Sequence, residues 1–81
     1  MQHNLITHYP FRTKVTDILS KREHSVLTLI SEGYSSSQIA DALFLSYETI
    51  RSHRKNMMRK LDATNTASLI TKSFKIGLLS A

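Results

Sequence analysis

An all-α fold, a short array of four helices containing a helix-turn-helix, is what this sequence predicts, and three observations carry the prediction. Apolar residues recur three and four apart rather than alternating in twos. Ser-x-x-Glu and Ser-x-x-Gln sequences stand just before such stretches, where a hydroxyl and a carboxylate or carboxamide satisfy the free N–H groups of a helix start. No segment shows the alternation or β-branched clustering of a strand, and there is neither an internal repeat nor a low-complexity tract.

The elements follow in order. Residues 1–18 hold the only proline, Pro10, and no sustained period, so they read as an N-terminal tail or linker with at most a partly ordered stretch from Phe11 to Ile18. The domain is expected over residues 19–77. Ser20-Lys21-Arg22-Glu23 has the form of a capping box and opens helix one. Val26, Leu27 and Ile30, with Leu29 beside them, make its apolar stripe, and Gly33 sits where a left-handed residue ends a helix. Ser35-Ser36-Ser37-Gln38 repeats the box and opens helix two, with Ile39, Ala40 and Leu43 on one face until the pattern stops at Phe44-Leu45. Ser46 caps helix three, residues 46–61, in which Ile50, Met57 and Leu61 recur at seven and four residues with His53 or Arg54 filling the intervening turn. Asn65 or Thr64 caps helix four, residues 66–76, which Gly77 ends. Its Leu69, Ile70, Phe74 and Ile76 cover an arc wider than one core contact needs. Residues 78–81 form a C-terminal tail, or Leu78-Leu79 fold back over helix one.

The 81 residues suffice for one small core, because a chain this short buries only about 60% of its unfolded surface. Without cysteine, neither disulfides nor thiolate zinc sites can add to it. Neither a membrane span nor the basic-then-apolar order of an export signal is visible, which makes the cytoplasm the expected compartment. The formal charge of +5 favours an anionic partner. Its distribution says more: five of the eleven basic side chains, Arg51, Arg54, Lys55, Arg59 and Lys60, fall in ten residues, with no carboxylate between Glu48 and Asp62.

The connection from Phe44 to Ser46 is that of a helix-turn-helix over residues 36–61, whose second helix can enter a major groove. With Ile50, Met57 and Leu61 turned inward, the opposite face presents Glu48, Arg51, Ser52, Lys55 and Arg59, each about one turn from the next. A recognition helix inserts its first turns deepest, so Arg51, Ser52, Lys55 and Glu48 are the candidates for base contacts. Arg51 and Lys55 can donate to guanine, Ser52 permits close approach, and Glu48 can accept from cytosine N4. Phosphate contacts are expected from Arg54, Arg59 and Lys60 and, at the helix starts, from Ser36, Ser37, Tyr47 and Thr49.

The run Leu19-Ser20-x-Arg22-Glu23, Val26-Leu27, Gly33-Tyr34-Ser35, Gln38-Ile39-Ala40, Leu43, Leu45-Ser46, Thr49-Ile50-Arg51, His53, Asn56-Met57 and Lys60-Leu61 resembles the C-terminal DNA-binding domain of LuxR/NarL/FixJ-type transcription regulators. The resemblance spans about Leu19 to Phe74. It implies a winged-helix-like array without a wing, and base contacts from the positions of Arg51, Ser52 and Lys55. It also implies homodimerisation through helix four on an inverted repeat of double-stranded DNA, with Leu69, Lys72, Ser73 and Ile76 as interface candidates, and no enzyme. The chain departs from the pattern at Asn65-Thr66, where the family often has Asn-Arg, and at Ser36-Ser37, where it often has Asn-Lys. Most members carry a sensing domain, and none fits before Leu19, so the expectation is either an effector domain or a small regulator without its own sensor.

Blander readings apply to the remaining residues. His53 is expected as a packed residue near the core and His24 as an exposed one. His3 and His8 lack a convergent carboxylate or thiolate, so no metal site is expected. Six scattered carboxylates, two glycines and no Ser-His-Asp order give catalysis no footing, and no cofactor is called for. A rival class is a protein-interaction module that pairs with a larger regulator or with RNA polymerase through helix four. A sigma-like promoter-recognising domain would share the helix-turn-helix but lack the dimerising helix. Failure to bind DNA at low salt would favour the first, and monomeric binding to one half-site the second.

Overall fold

The computed structural model describes residues 17–80, which form α1 (Lys21–Ser31), α2 (Ser36–Leu43), α3 (Tyr47–Lys60) and α4 (Thr66–Lys75), with no strand among the described residues. The tail reading of residues 1–16, with its His3 and His8, lies outside the described residues, as does Ala81.

Each helix starts on the residue its chemistry demands. The Ser20 hydroxyl accepts from the Glu23 N–H at 3.0 Å while the Glu23 carboxylate accepts from the Ser20 N–H at 2.9 Å. Ser35 and Gln38 make the same reciprocal pair at 3.1 and 2.9 Å. Ser46 accepts from Thr49 N–H at 3.0 Å, and Asn65, rather than Thr64, caps α4 by accepting from Ser68 N–H at 2.7 Å.

All four helices also end alike, on the six-to-one bond of a Schellman turn: Tyr34 N–H to the Leu29 carbonyl (3.1 Å), Leu45 to Ala40 (2.9 Å), Ala63 to Met58 (2.8 Å) and Leu78 to Ser73 (2.8 Å). The pivot of each is left-handed: Gly33 (φ 95°), Phe44 (φ 57°), Asp62 (φ 54°) and Gly77 (φ 87°). A Cβ in that region costs about 1–2 kcal/mol. At Phe44 nothing offsets this, because the residue is 95% exposed. Phe44→Gly is therefore expected to raise stability by about 0.5–1 kcal/mol, net of glycine's greater unfolded-state entropy, which a denaturant titration would read as a higher midpoint at unchanged slope.

One core joins the elements: Val26, Leu27 and Ile30 of α1, Ile39 and Ala40 of α2, Ile50 and Met57 of α3, Leu61 just beyond it, and Leu69 of α4. Ile18, Leu19 and Leu78 close it from outside the helices, so of the two readings offered for Leu78-Leu79 the fold-back over helix one holds, and Ile18, at the end of the partly ordered stretch expected before the domain, belongs to the core. Leu79 packs against the same cluster. His24, expected to be exposed, is half-buried, and its Nε2 donates to the Leu78 carbonyl at 3.1 Å, tying the chain end back to α1.

Candidate nucleic-acid interface

With Ile50, Met57 and Leu61 sunk in the core, the 3.6-residue period of α3 turns Glu48, Arg51, Ser52, Lys55 and Arg59 outward, and all five are exposed. Half-buried His53 and Arg54 lie between the two faces. An open groove of about 500 Å³ is lined by Ser36, from the first position of α2, and by Tyr47, Glu48, Arg51, Ser52, Arg54, Lys55 and Met58 of α3. All four base-contact candidates are thus brought to one concave face, together with three of the phosphate candidates, Ser36, Tyr47 and Arg54. Ser37 and Arg59 are exposed beside it.

Within the groove Arg51 lies 3.8 Å from Glu48 one turn earlier, with both side chains well exposed, at 62% and 78%. An ion pair that open is worth little, and a base or phosphate can exchange into it. Thr49 is half-buried, and its hydroxyl lies 2.8 Å from that of Ser46, so a phosphate would compete with the cap for it.

Lys60 does not take the place the sequence suggested. Its Nζ donates to Glu23 Oε1 at 2.7 Å, so it ties the end of α3 to the start of α1 rather than projecting toward a phosphate. The physical reason is on the other partner: Glu23 is only 4% exposed, and an ionised carboxylate so buried needs a cation. Burial alone would push this carboxyl up. The Lys60 hydrogen bond, the Ser20 N–H and the lysine charge outweigh it and hold the carboxyl below its ordinary 4.5. A depressed carboxyl pKa contributes stability above the unfolded value and loses it as pH falls through the folded one. On acidification below about pH 4.5 the melting temperature should accordingly fall more steeply for the natural chain than for Glu23→Gln, which keeps the capping geometry without the titration. Equal slopes would show that the pair carries no such linkage.

Two of the four dimer-interface candidates are also displaced. Leu69 and Ser73, one turn apart, are fully buried inside the protomer, and the Ser73 hydroxyl donates to the Leu69 carbonyl at 2.7 Å, so neither can meet a second copy. The inward stripe of α4 is the Leu69–Ser73 line, which leaves Ala67, Thr71, Phe74 and Lys75 exposed and Ile70, Lys72 and Ile76 half-buried. Lys72 donates to the Asp62 carbonyl in the α3–α4 turn. Phe74 is 44% exposed.

One contact joins α3 to α4 directly at the edge of the groove: Arg54 Nη2 donates to Thr66 Oγ1 at 2.6 Å. Sequence spacing gave no sign of it, since the partners are twelve residues and one turn apart on different helices. Among the described residues no three His, Asp or Glu side chains are grouped to hold a metal, and no helix is long and apolar enough to cross a membrane.

Comparison with known proteins shows the family and the fold. Residues 17–73 match the family described as bacterial regulatory proteins, luxR family. The chain is 40% identical over 73 residues to the oxygen regulatory protein NreC of Staphylococcus carnosus, covering 90% of this chain and 31% of that protein. Over 62 residues it is 40% identical to NreC of Staphylococcus aureus, covering 76% and 29%. It therefore spans less than a third of the length of these curated relatives. Among solved structures it is similar to the transcription factor GerE, with a TM-score of 0.74 at 30% identity over 78% of this chain and 94% of that one. The response regulator ChrA of a heme-sensing two-component system gives 0.74 at 30% identity over 93% and 36%.

Proposed function

The chain belongs to the luxR family of bacterial regulatory proteins, and from that premise we propose that it binds double-stranded DNA in the cytoplasm and regulates transcription, with α3 seated in a major groove. The observation that carries this reading is the convergence of Arg51, Ser52, Arg54, Lys55 and Ser36 on one groove, around a helix whose other face is locked in the core. Arg51 and Lys55 read guanine edges, Ser52 allows the backbone close to the bases, and Glu48 accepts from cytosine once Arg51 leaves it. Arg54, Arg59, Ser36, Ser37, Tyr47 and Thr49 hold phosphates on either side and fix the register. Lys60 has no part in this.

Two copies bind an inverted repeat, because one helix of this size reads too few base pairs for a selective site. The exposed face of α4 supports such pairing. There Phe74 is 44% exposed, with Thr71 and Lys75 exposed beside it, and Lys72 buttresses the turn that leads into the helix.

Arg59 separates charge from readout. Exposed and outside the groove lining, it neutralises a phosphate without seeing a base. Arg59→Ala should weaken binding to all duplexes alike and flatten the dependence of log affinity on log salt by about one unit. A titration series over several salt concentrations measures this, and an unchanged slope would remove Arg59 from the interface.

A further inference from the structure

We propose that Thr66, at the first position of α4, is a positioning residue that holds the Arg54 guanidinium ready for a DNA phosphate and so makes the DNA-facing helix depend on α4. The contact is Arg54 Nη2 to Thr66 Oγ1 at 2.6 Å. Arg54 is half-buried and its side chain lines the same groove as Arg51 and Lys55, while Thr66 lies outside that lining, on the adjoining helix. The arginine thus spans from the groove wall to the start of α4. A guanidinium is a flat fork of five N–H donors. The Thr66 hydroxyl engages one end of it, and the rest of the fork stays available for a phosphate oxygen, the bidentate geometry to which arginine is suited.

Fixing the side chain beforehand matters because a free arginine gives up much of its rotamer freedom on docking. Here that ordering is already done in the free protein. Among the described residues the exposed cations of the face have no such support, and Arg51 meets the exposed Glu48 at 3.8 Å. The consequence is a mechanical link. A movement of α4 relative to α3, such as pairing with a second copy would impose or prevent, is passed by this bond to a side chain of the groove.

This role for Thr66 rests on the reading of Arg54 as a phosphate contact, and the two are separable by experiment. The variants are Thr66→Val, which removes the hydroxyl at constant shape, Thr66→Ser, which restores it, Arg54→Ala, and the double variant Arg54→Ala with Thr66→Val. Each is titrated with a mixed-sequence duplex at several salt concentrations, and the order parameter of the Arg54 Nε–H is measured by NMR in the free protein. Arg54→Ala should flatten the salt slope by about 0.9. Thr66→Val should weaken binding about threefold to tenfold, Thr66→Ser should recover it, and in the Arg54→Ala background Thr66→Val should change nothing further. The Arg54 Nε–H should pass from ordered to mobile in Thr66→Val while the α3 and α4 backbone signals stay in place, which a merely structural role would not produce. An unchanged slope in Arg54→Ala defeats the phosphate reading of Arg54 and the positioning role with it. A normal slope change there, together with an Arg54 side chain equally ordered without the Thr66 hydroxyl, or with the same affinity loss from Thr66→Val in both backgrounds, overturns the positioning role alone.

Discussion

Met57→Ala should destabilise the domain by about 3 kcal/mol, the cost of removing a buried side chain and leaving a cavity that its neighbours only partly fill. Met57 is fully buried at the centre of the inward stripe of α3, between Ile50 and Leu61. For a domain of this size that loss corresponds to a fall in melting temperature of about 15 °C. Met57 touches no candidate ligand, so its effect on DNA binding should follow folding alone. At temperatures where the variant is folded, its affinity should return to nearly that of the natural chain. A calorimetric scan paired with a binding titration checks both halves. A stable Met57→Ala variant would mean that α3 is not held by this stripe, and the outward face derived from it would then have no fixed register.

Arg51→Ala and Lys55→Ala have the opposite profile. Both side chains are exposed, so their loss should leave the melting temperature within about 4 °C of the natural chain, since a surface substitution changes stability by no more than about 0.5 kcal/mol. On the cognate duplex each should cost about 1–3 kcal/mol, about tenfold to a hundredfold in affinity. The loss should fall on one base position in each half-site, because a bidentate donor to guanine discriminates at the base it touches and nowhere else. That signature separates them from Arg59, whose removal is expected to act on every sequence.

Much of this architecture is legible in the sequence because the signals are local. The boxes at Ser20–Glu23 and Ser35–Gln38, the cap at Ser46 and the glycines at 33 and 77 act within one turn of themselves, and the structure uses each in that way. The inward stripe of α3 is equally local, since Ile50, Met57 and Leu61 leave a single phase for the helix. What escaped is non-local. Glu23 reads as a cap, and the same carboxylate also captures Lys60, thirty-seven residues away, a pairing that depends on how α1 crosses α3. In α4 the apolar residues cover so wide an arc that several phases fit, and which one faces inward was settled by Leu69 and the small Ser73 packing beneath it. Phe74 was consequently displaced toward solvent. The left-handed Phe44 is invisible for another reason: nothing in a phenylalanine announces a conformation that glycine would adopt at no cost.

The central claim, that the outward face of α3 reads DNA, is tested most directly by selecting bound duplexes from a random pool, in parallel for the natural chain, Arg51→Ala and Lys55→Ala. The natural chain should enrich a motif of two inverted half-sites containing guanine, and each variant should lose its preference at one position per half-site while keeping the rest. No enriched motif from the natural chain, or motifs from both variants identical to it, would contradict the account.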